Sequence, residues 1–335
     1  MAQRCYYLDL TKVIAMFLVI LGHLYSADSN VRLYLYSFHM PLFFLVSGIF
    51  YKDTGTVNWK RYCRTLLWPT VVFMVLFSLN GLLFRLHPVG YYLESFFIDL
   101  PLGRHKGYLW FIFALFWCKI FMDLWIKARR PLLTASLWAL MLFVPLVLNQ
   151  KLPFEMLYGL MAFPFYFIGY TFKRPLMSRT PSLKYVFPFV ACLLLNFLIT
   201  RFHGRVSMVS VQFGQLARQF GIEPANLPVL PRLAFLGGDV LLFYINGLIG
   251  SAAVICLSLL PFPKLSFIGK LSGSLITVYG TQNLFIHPFA QYVGLDYPFW
   301  VSIPLAAVVF ALCYGLHFML RPIYQIVREK SITAP

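Results

Sequence analysis

Apolar runs long enough to cross a bilayer follow one another along almost the whole chain, and this repetition decides what the chain can fold into. Ten runs lie at 8–26, 38–52, 63–84, 108–126, 134–149, 156–172, 183–200, 239–260, 272–291 and 299–320. About 20 apolar residues cross the hydrocarbon layer as a helix, and only helices or closed barrels satisfy their backbone groups there. Of the 335 residues, 60% are hydrophobic and 12% charged, about half the charge fraction of a soluble chain. The expectation is an all-α polytopic integral membrane helix bundle of about ten transmembrane helices, one domain over 1–335, with the lipid bilayer as its solvent.

Charge sets the orientation. A net charge of +17 would suggest nucleic acid in a soluble protein, but here the basic residues sit in short loops, and no nucleic-acid partner is expected. With the N-terminus inside, 19 of the 28 basic residues fall on the cytoplasmic side. The positive-inside rule then puts both termini in the cytoplasm. Two longer outer loops, 85–107 and 201–238, suit a large polar ligand; the second holds an amphipathic piece near 209–220. The first run starts near Leu8, contains Asp9 and Lys12, and has no cleavage site after it. The six cysteines are scattered without a CxxC pair and read as small packing residues, so no metal site is expected.

Ionisable groups inside spans are costly and mark candidate chemistry. The stretch Leu8–Phe50 concentrates them. Lys12 and His23 are eleven residues apart, which on an α-helix leaves them about 20° apart around the axis and about 16 Å apart along it. They share a face, with Lys12 toward the cytoplasm and His23 in the outer half. Asp9, one turn before Lys12, pairs with it. His39 enters the next span from the side that His23 approaches, so one imidazole can serve as base while the other orients it or binds an acceptor hydroxyl. Ser47-Gly48 reads as a close helix contact, with Ser47 packing rather than attacking. Arg61 and Arg64 precede the third span at i, i+3, sharing a helix face and suited to phosphate, although topology alone also explains basic residues there. Asp239, after Gly237-Gly238, reads as a helix cap, and Glu155 as an electrostatic partner of the sixth span's start. Asp123, Asn246, His287 and His317 are further in-span polar groups whose partners the sequence does not name.

Three stretches carry a family likeness. LDLTKVIAMFLVILGH, FHMPLFFLVSGIF and KRYCRTLLWPTVVF, in this order, resemble the acyltransferase-3 family of integral membrane O-acyltransferases, nearest to its fucose-4-O-acetylase-like branch. GYLWFIFALFW, MAFPFYFIGY and IGKLSGSLITVYGTQN extend the likeness over nearly all the chain. The resemblance implies a multi-pass protein of the bacterial cytoplasmic (inner) membrane with no permanently bound cofactor. It implies an acyl-CoA donor, acetyl-CoA first, and a carbohydrate acceptor. The family's basic residue and histidine fall on Lys12 and His23, with lysine replacing the usual arginine and so losing its bidentate fork. Its arginine pair falls on Arg61 and Arg64. Gln282 stands where many relatives have histidine, leaving hydrogen bonding in place of base chemistry. The expected mechanism places coenzyme A on Arg61, Arg64 and Lys12, while His23, assisted by His39, deprotonates the sugar hydroxyl. A transporter or exporter of a sugar or lipid-linked saccharide is the competing expectation.

Overall fold

The computed structural model describes residues 5–104, 109–147, 151–203, 215–223 and 229–329, and these are almost entirely helical. In chain order the helices are α1 (Tyr6–His23), α2 (Asn30–Tyr36), α3 (His39–Ile49), α4 (Trp59–Leu83), α5 (Val89–Glu94), α6 (Trp110–Ala128), α7 (Pro131–Val147), α8 (Met156–Thr171), α9 (Lys173–Met177), α10 (Val186–His203), α11 (Gln215–Gln219), α12 (Val229–Ser258), α13 (Ile268–Tyr292) and α14 (Phe299–Glu329). Among the described residues each of the ten predicted runs contains a helix, and the all-α membrane bundle stands. Five helical stretches, Tyr6–His23, Trp59–Leu83, Leu183–Phe202, Ala234–Ser258 and Phe299–Arg321, are long and apolar enough to cross a membrane.

Local chemistry accounts for several boundaries. Pro131 opens α7, where a missing N–H costs nothing. Arg129, at φ 51°, ends α6 in the left-handed region. Pro41 sits in the first turn of α3, which tolerates it. The 11 residues of α3 rise only about 16 Å, roughly half the hydrocarbon thickness, so the run 38–52 is shorter as a helix than expected. Asp239 is not a cap: α12 begins at Val229 and continues through Gly237-Gly238, leaving Asp239 buried inside it. Of the expected amphipathic piece, Gln215–Gln219 is helical and 209–214 lie outside the described residues. Within 85–104, α5 runs into a π turn over Ser95–Asp99.

The chain divides into two compact units. The first is Met1–Phe50 with Phe165–Ser272; the second is Tyr51–Pro164 with Gly273–Pro335. In the first, α12 packs along α10, α1 and α3. A Cβ at Gly48 would lie 1.9 Å from the Tyr166 carbonyl oxygen, and one at Gly169 would lie 1.9 Å from that of Leu45. Two backbones therefore touch directly, which is the close approach that Ser47-Gly48 predicted. Gly250 receives the Phe38 side chain, and Gly247 receives Phe165 and Pro41, seating the start of α3. A buried polar network crosses the same region. Asn196 Nδ2 donates to Asn246 Oδ1 at 2.6 Å, Asn246 Nδ2 to Thr200 Oγ1 at 2.9 Å, and Asn196 Nδ2 and Thr200 Oγ1 both to Ser37 Oγ at 3.3 Å. Bonds of this kind between membrane helices are each worth about 0.6–2 kcal/mol. Together they hold Ser37, the turn between α2 and α3.

In the second unit Gly280 admits the Phe73 ring, joining α13 to α4, and Gly159 admits Trp117, joining α8 to α6. Trp138 Nε1 donates to Leu160 O at 3.0 Å, and Thr277 meets His317 Nδ1 at 3.0 Å. A cavity of about 550 Å³ is lined by Leu67, Val71, Phe97, Phe113 and Trp117 among others. Its walls are hydrocarbon and aromatic and offer no handle for a phosphate or a hydroxyl.

Candidate active site

In the first unit α1 is unbroken from Tyr6 to His23, so the spacing that puts Lys12 and His23 on one face holds along its whole length. Both side chains are half-buried. Lys12 Nζ lies 3.0 Å from Asp9 Oδ1, the expected pair. It also donates to Ser272 Oγ at 3.1 Å, and Ser272 donates to the same Asp9 oxygen at 2.6 Å. The Phe50 ring covers the ammonium at 4.2 Å. Lys12 is thus a neutralised, oriented cation rather than a bare charge.

His23 and His39 are joined through a residue that the sequence left unremarked. Tyr36 Oη lies 3.0 Å from His23 Nδ1, and the Tyr36 and His39 rings meet edge-on at 4.7 Å. Tyr36 ends α2 and His39 opens α3, and the polar network around Ser37 fixes the turn between them. His39 Nδ1 is 2.6 Å from the Leu35 carbonyl oxygen. A carbonyl can only accept, so Nδ1 carries the hydrogen. Burial pushes the Tyr36 phenol up to about 12, and the nearby Arg32 guanidinium opposes that rise, so Tyr36 is a neutral hydroxyl at ordinary pH. The Arg32 guanidinium lies over the Tyr36 ring at 4.8 Å and donates to Tyr25 O at 2.9 Å. His39 is 1% exposed, whereas His23 is half-buried. Of the two imidazoles, His23 is the one an incoming molecule can reach.

In the second unit α4 carries the arginine pair, both side chains exposed. Cys63–Leu67 forms a π turn, so Arg61 precedes the wider turn and Arg64 lies within it. The i, i+3 reckoning for a shared α-helical face does not apply across that turn; such bulges recur at functional sites. The segment leading to the pair is tied to one buried carboxylate. Asp123 on α6 accepts from Tyr51 Oη at 2.5 Å and Tyr62 Oη at 3.0 Å on one oxygen, and from the Asn58 backbone N–H at 3.0 Å on the other. Lys119, one turn before Asp123, places its ammonium 5.3 Å from the Tyr62 ring centre. Asp53 accepts from the Gly55 N–H at 2.8 Å, and Asn58 Nδ2 donates to Thr56 O at 3.0 Å, closing the loop on itself. Arg61 therefore extends from a fixed platform.

A family model described as an acyltransferase domain matches residues 6–318. The chain belongs to the acyltransferase-3 family. No curated protein and no solved structure matches it. As an acyltransferase-3 protein, the chain is a multi-pass membrane acyltransferase.

The expected site residues of this acyltransferase fall into both units: Asp9, Lys12, His23, His39 and Ser47 in the first, and Arg61, Arg64 and Gln282 in the second. Within the first, His23 and His39 come together through Tyr36, while Lys12 stays with Asp9 near the opposite end of α1. Ser47 is half-buried beside the Gly48 contact. Gln282 is fully buried. Sequence reasoning missed Tyr36 and Asp123 as partners. Tyr36 had one available signal, its place three residues before His39; Asp123 had only its cost as an acid inside a span.

Proposed function

We propose that this protein is an O-acyltransferase that moves an acetyl group from cytosolic acetyl-CoA to a hydroxyl of a cell-surface or periplasmic glycan or its precursor, in the cytoplasmic membrane of a bacterium with both termini inside. Its motifs resemble those of the fucose-4-O-acetylase-like branch. The observation that carries this reading is a single helix, α1, with an oriented cation toward one end and at the other a histidine braced through Tyr36.

Arg61 and Arg64 hold the anionic part of coenzyme A, and Asp9 steadies the Lys12 ammonium. His23 donates Nδ1–H to the neutral Tyr36 oxygen, which puts its lone pair on Nε2, the arrangement of a general base aimed by a third group. His39, fixed by Leu35 O, holds the Tyr36 ring in place. Nε2 takes the sugar hydroxyl proton as that oxygen attacks the thioester carbonyl carbon. The carbon–sulfur bond breaks, and the leaving coenzyme A thiolate recovers the proton. The products are the sugar ester and free coenzyme A.

Coenzyme A binding by the purified protein tests this. Each charge-assisted contact is worth about 1.5–3 kcal/mol, about ten- to hundredfold in affinity. Arg61→Ala with Arg64→Ala should therefore weaken binding by at least about a hundredfold. Protein that binds no coenzyme A, yet moves a saccharide across vesicles, would instead be a transporter.

A further inference from the structure

The buried polar atoms with no hydrogen-bond partner among the described residues include, in the second unit, Asn80 Oδ1, Tyr92 Oη, both polar atoms of Gln282, and Asn283 Oδ1. Tyr92, Gln282 and Asn283 are only 4%, 0% and 2% exposed. Native folds rarely leave such groups unmet, and each one calls for an explanation. Asn80, Tyr92 and Asn283 are brought toward one another by α4, α5 and α13, and Gln282, on the side of α13 away from Gly280 and His287, is not part of this cluster. Asn80 Nδ2 donates to Leu284 O at 3.2 Å, beside Asn283. Tyr92 Oη presses against Gly81, where a Cβ would lie 1.7 Å away. The Phe77 ring, one turn from Asn80, sits 6.2 Å from the Tyr92 ring and 5.2 Å from that of His287.

We infer that this cluster binds hydroxyl groups of the carbohydrate acceptor. Carboxamides and a phenol offer a mixture of donors and acceptors, and a sugar hydroxyl both donates and accepts. No carboxylate or guanidinium belongs to the set, which disfavours a phosphate or carboxylate ligand. The Phe77 and Tyr92 rings supply apolar surface for the C–H face of a sugar. Position agrees: Asn80 is sixteen residues beyond Arg64 on α4, about 24 Å along the helix, at the end away from the proposed donor phosphates. The inference rests on the acyltransfer reading and adds to it the place where the acceptor is recognised.

The test uses glycan purified from cells lacking this gene, acetyl-CoA, and the full-length protein as wild type, Tyr92→Phe and Asn283→Leu. Each variant should raise KM for the glycan about five- to tenfold and leave coenzyme A affinity unchanged. Both should melt at or above the wild-type temperature, because they remove a polar atom that the fold itself does not satisfy. An unchanged glycan KM overturns the inference, as does a rise that tracks a lowered melting temperature; water alone would then be what meets these groups. If wild type binds coenzyme A but Arg61→Ala with Arg64→Ala binds it equally well, the donor assignment fails separately. If wild type leaves the glycan unacylated, the acyltransfer reading fails and this inference falls with it.

Discussion

His23→Ala should lose glycan acetylation by about 10²–10⁴-fold, the usual worth of a positioned general base, at normal membrane expression and with coenzyme A binding intact. His23 ends α1 and sits half-buried, with Nδ1 held 3.0 Å from the Tyr36 hydroxyl. Removing the imidazole deletes the proton acceptor and leaves Tyr36, His39 and the cation pair in place, so kcat should fall while the donor affinity holds. Tyr36→Phe removes only the orienting oxygen and should produce a smaller fall. Steady-state acetylation in membranes, normalised to protein, is the measurement. Undiminished acetylation by His23→Ala sinks the assignment of the base.

Gly48→Val should cost the protein its fold in this region. The space at Gly48 is closed by backbone rather than by a flexible side chain, with Tyr166 O 1.9 Å and Tyr166 C 2.8 Å from a modest Cβ, and Gly169 meets Leu45 in the same way. Neither strand of contact can yield unless α3 parts from the Phe165–Thr171 end of α8. Overpacking of this kind costs about 1–3 kcal/mol or more, a large share of a typical folding stability of about 5–15 kcal/mol. Because α3 begins with His39, the displacement reaches the histidine pair as well. A lowered melting temperature in detergent, with reduced activity, is expected; a wild-type melting curve would show that the two helices separate freely.

What was legible in the sequence was what depends on helical period and polarity alone. The ten apolar runs became helices, and the eleven-residue spacing of Lys12 and His23 survives because no residue interrupts α1. The Asp9–Lys12 pair is local and followed from one turn of helix. Features set by packing between distant segments were not legible. Asp123 is bound by Tyr51, 72 residues away, and Asn196 by Asn246, 50 residues away; nothing in the neighbourhood of either names its partner. The π turn at Cys63–Leu67 changes the angular relation of Arg61 and Arg64 without any glycine or proline inside it to announce the change. Gly237-Gly238 looked like a boundary before Asp239, but α12 runs straight through, since glycine lowers helix propensity by only about 1 kcal/mol and the surrounding tertiary contacts override that.

The most direct measurement follows the acyl group itself. Inside-out membrane vesicles containing the glycan are supplied with acetyl-CoA labelled in the acetyl carbon. Acyl transfer predicts label in the glycan as an alkali-labile ester, released coenzyme A in equal amount, and loss of both with His23→Ala. Label that stays on coenzyme A while unmodified glycan crosses the membrane would contradict it.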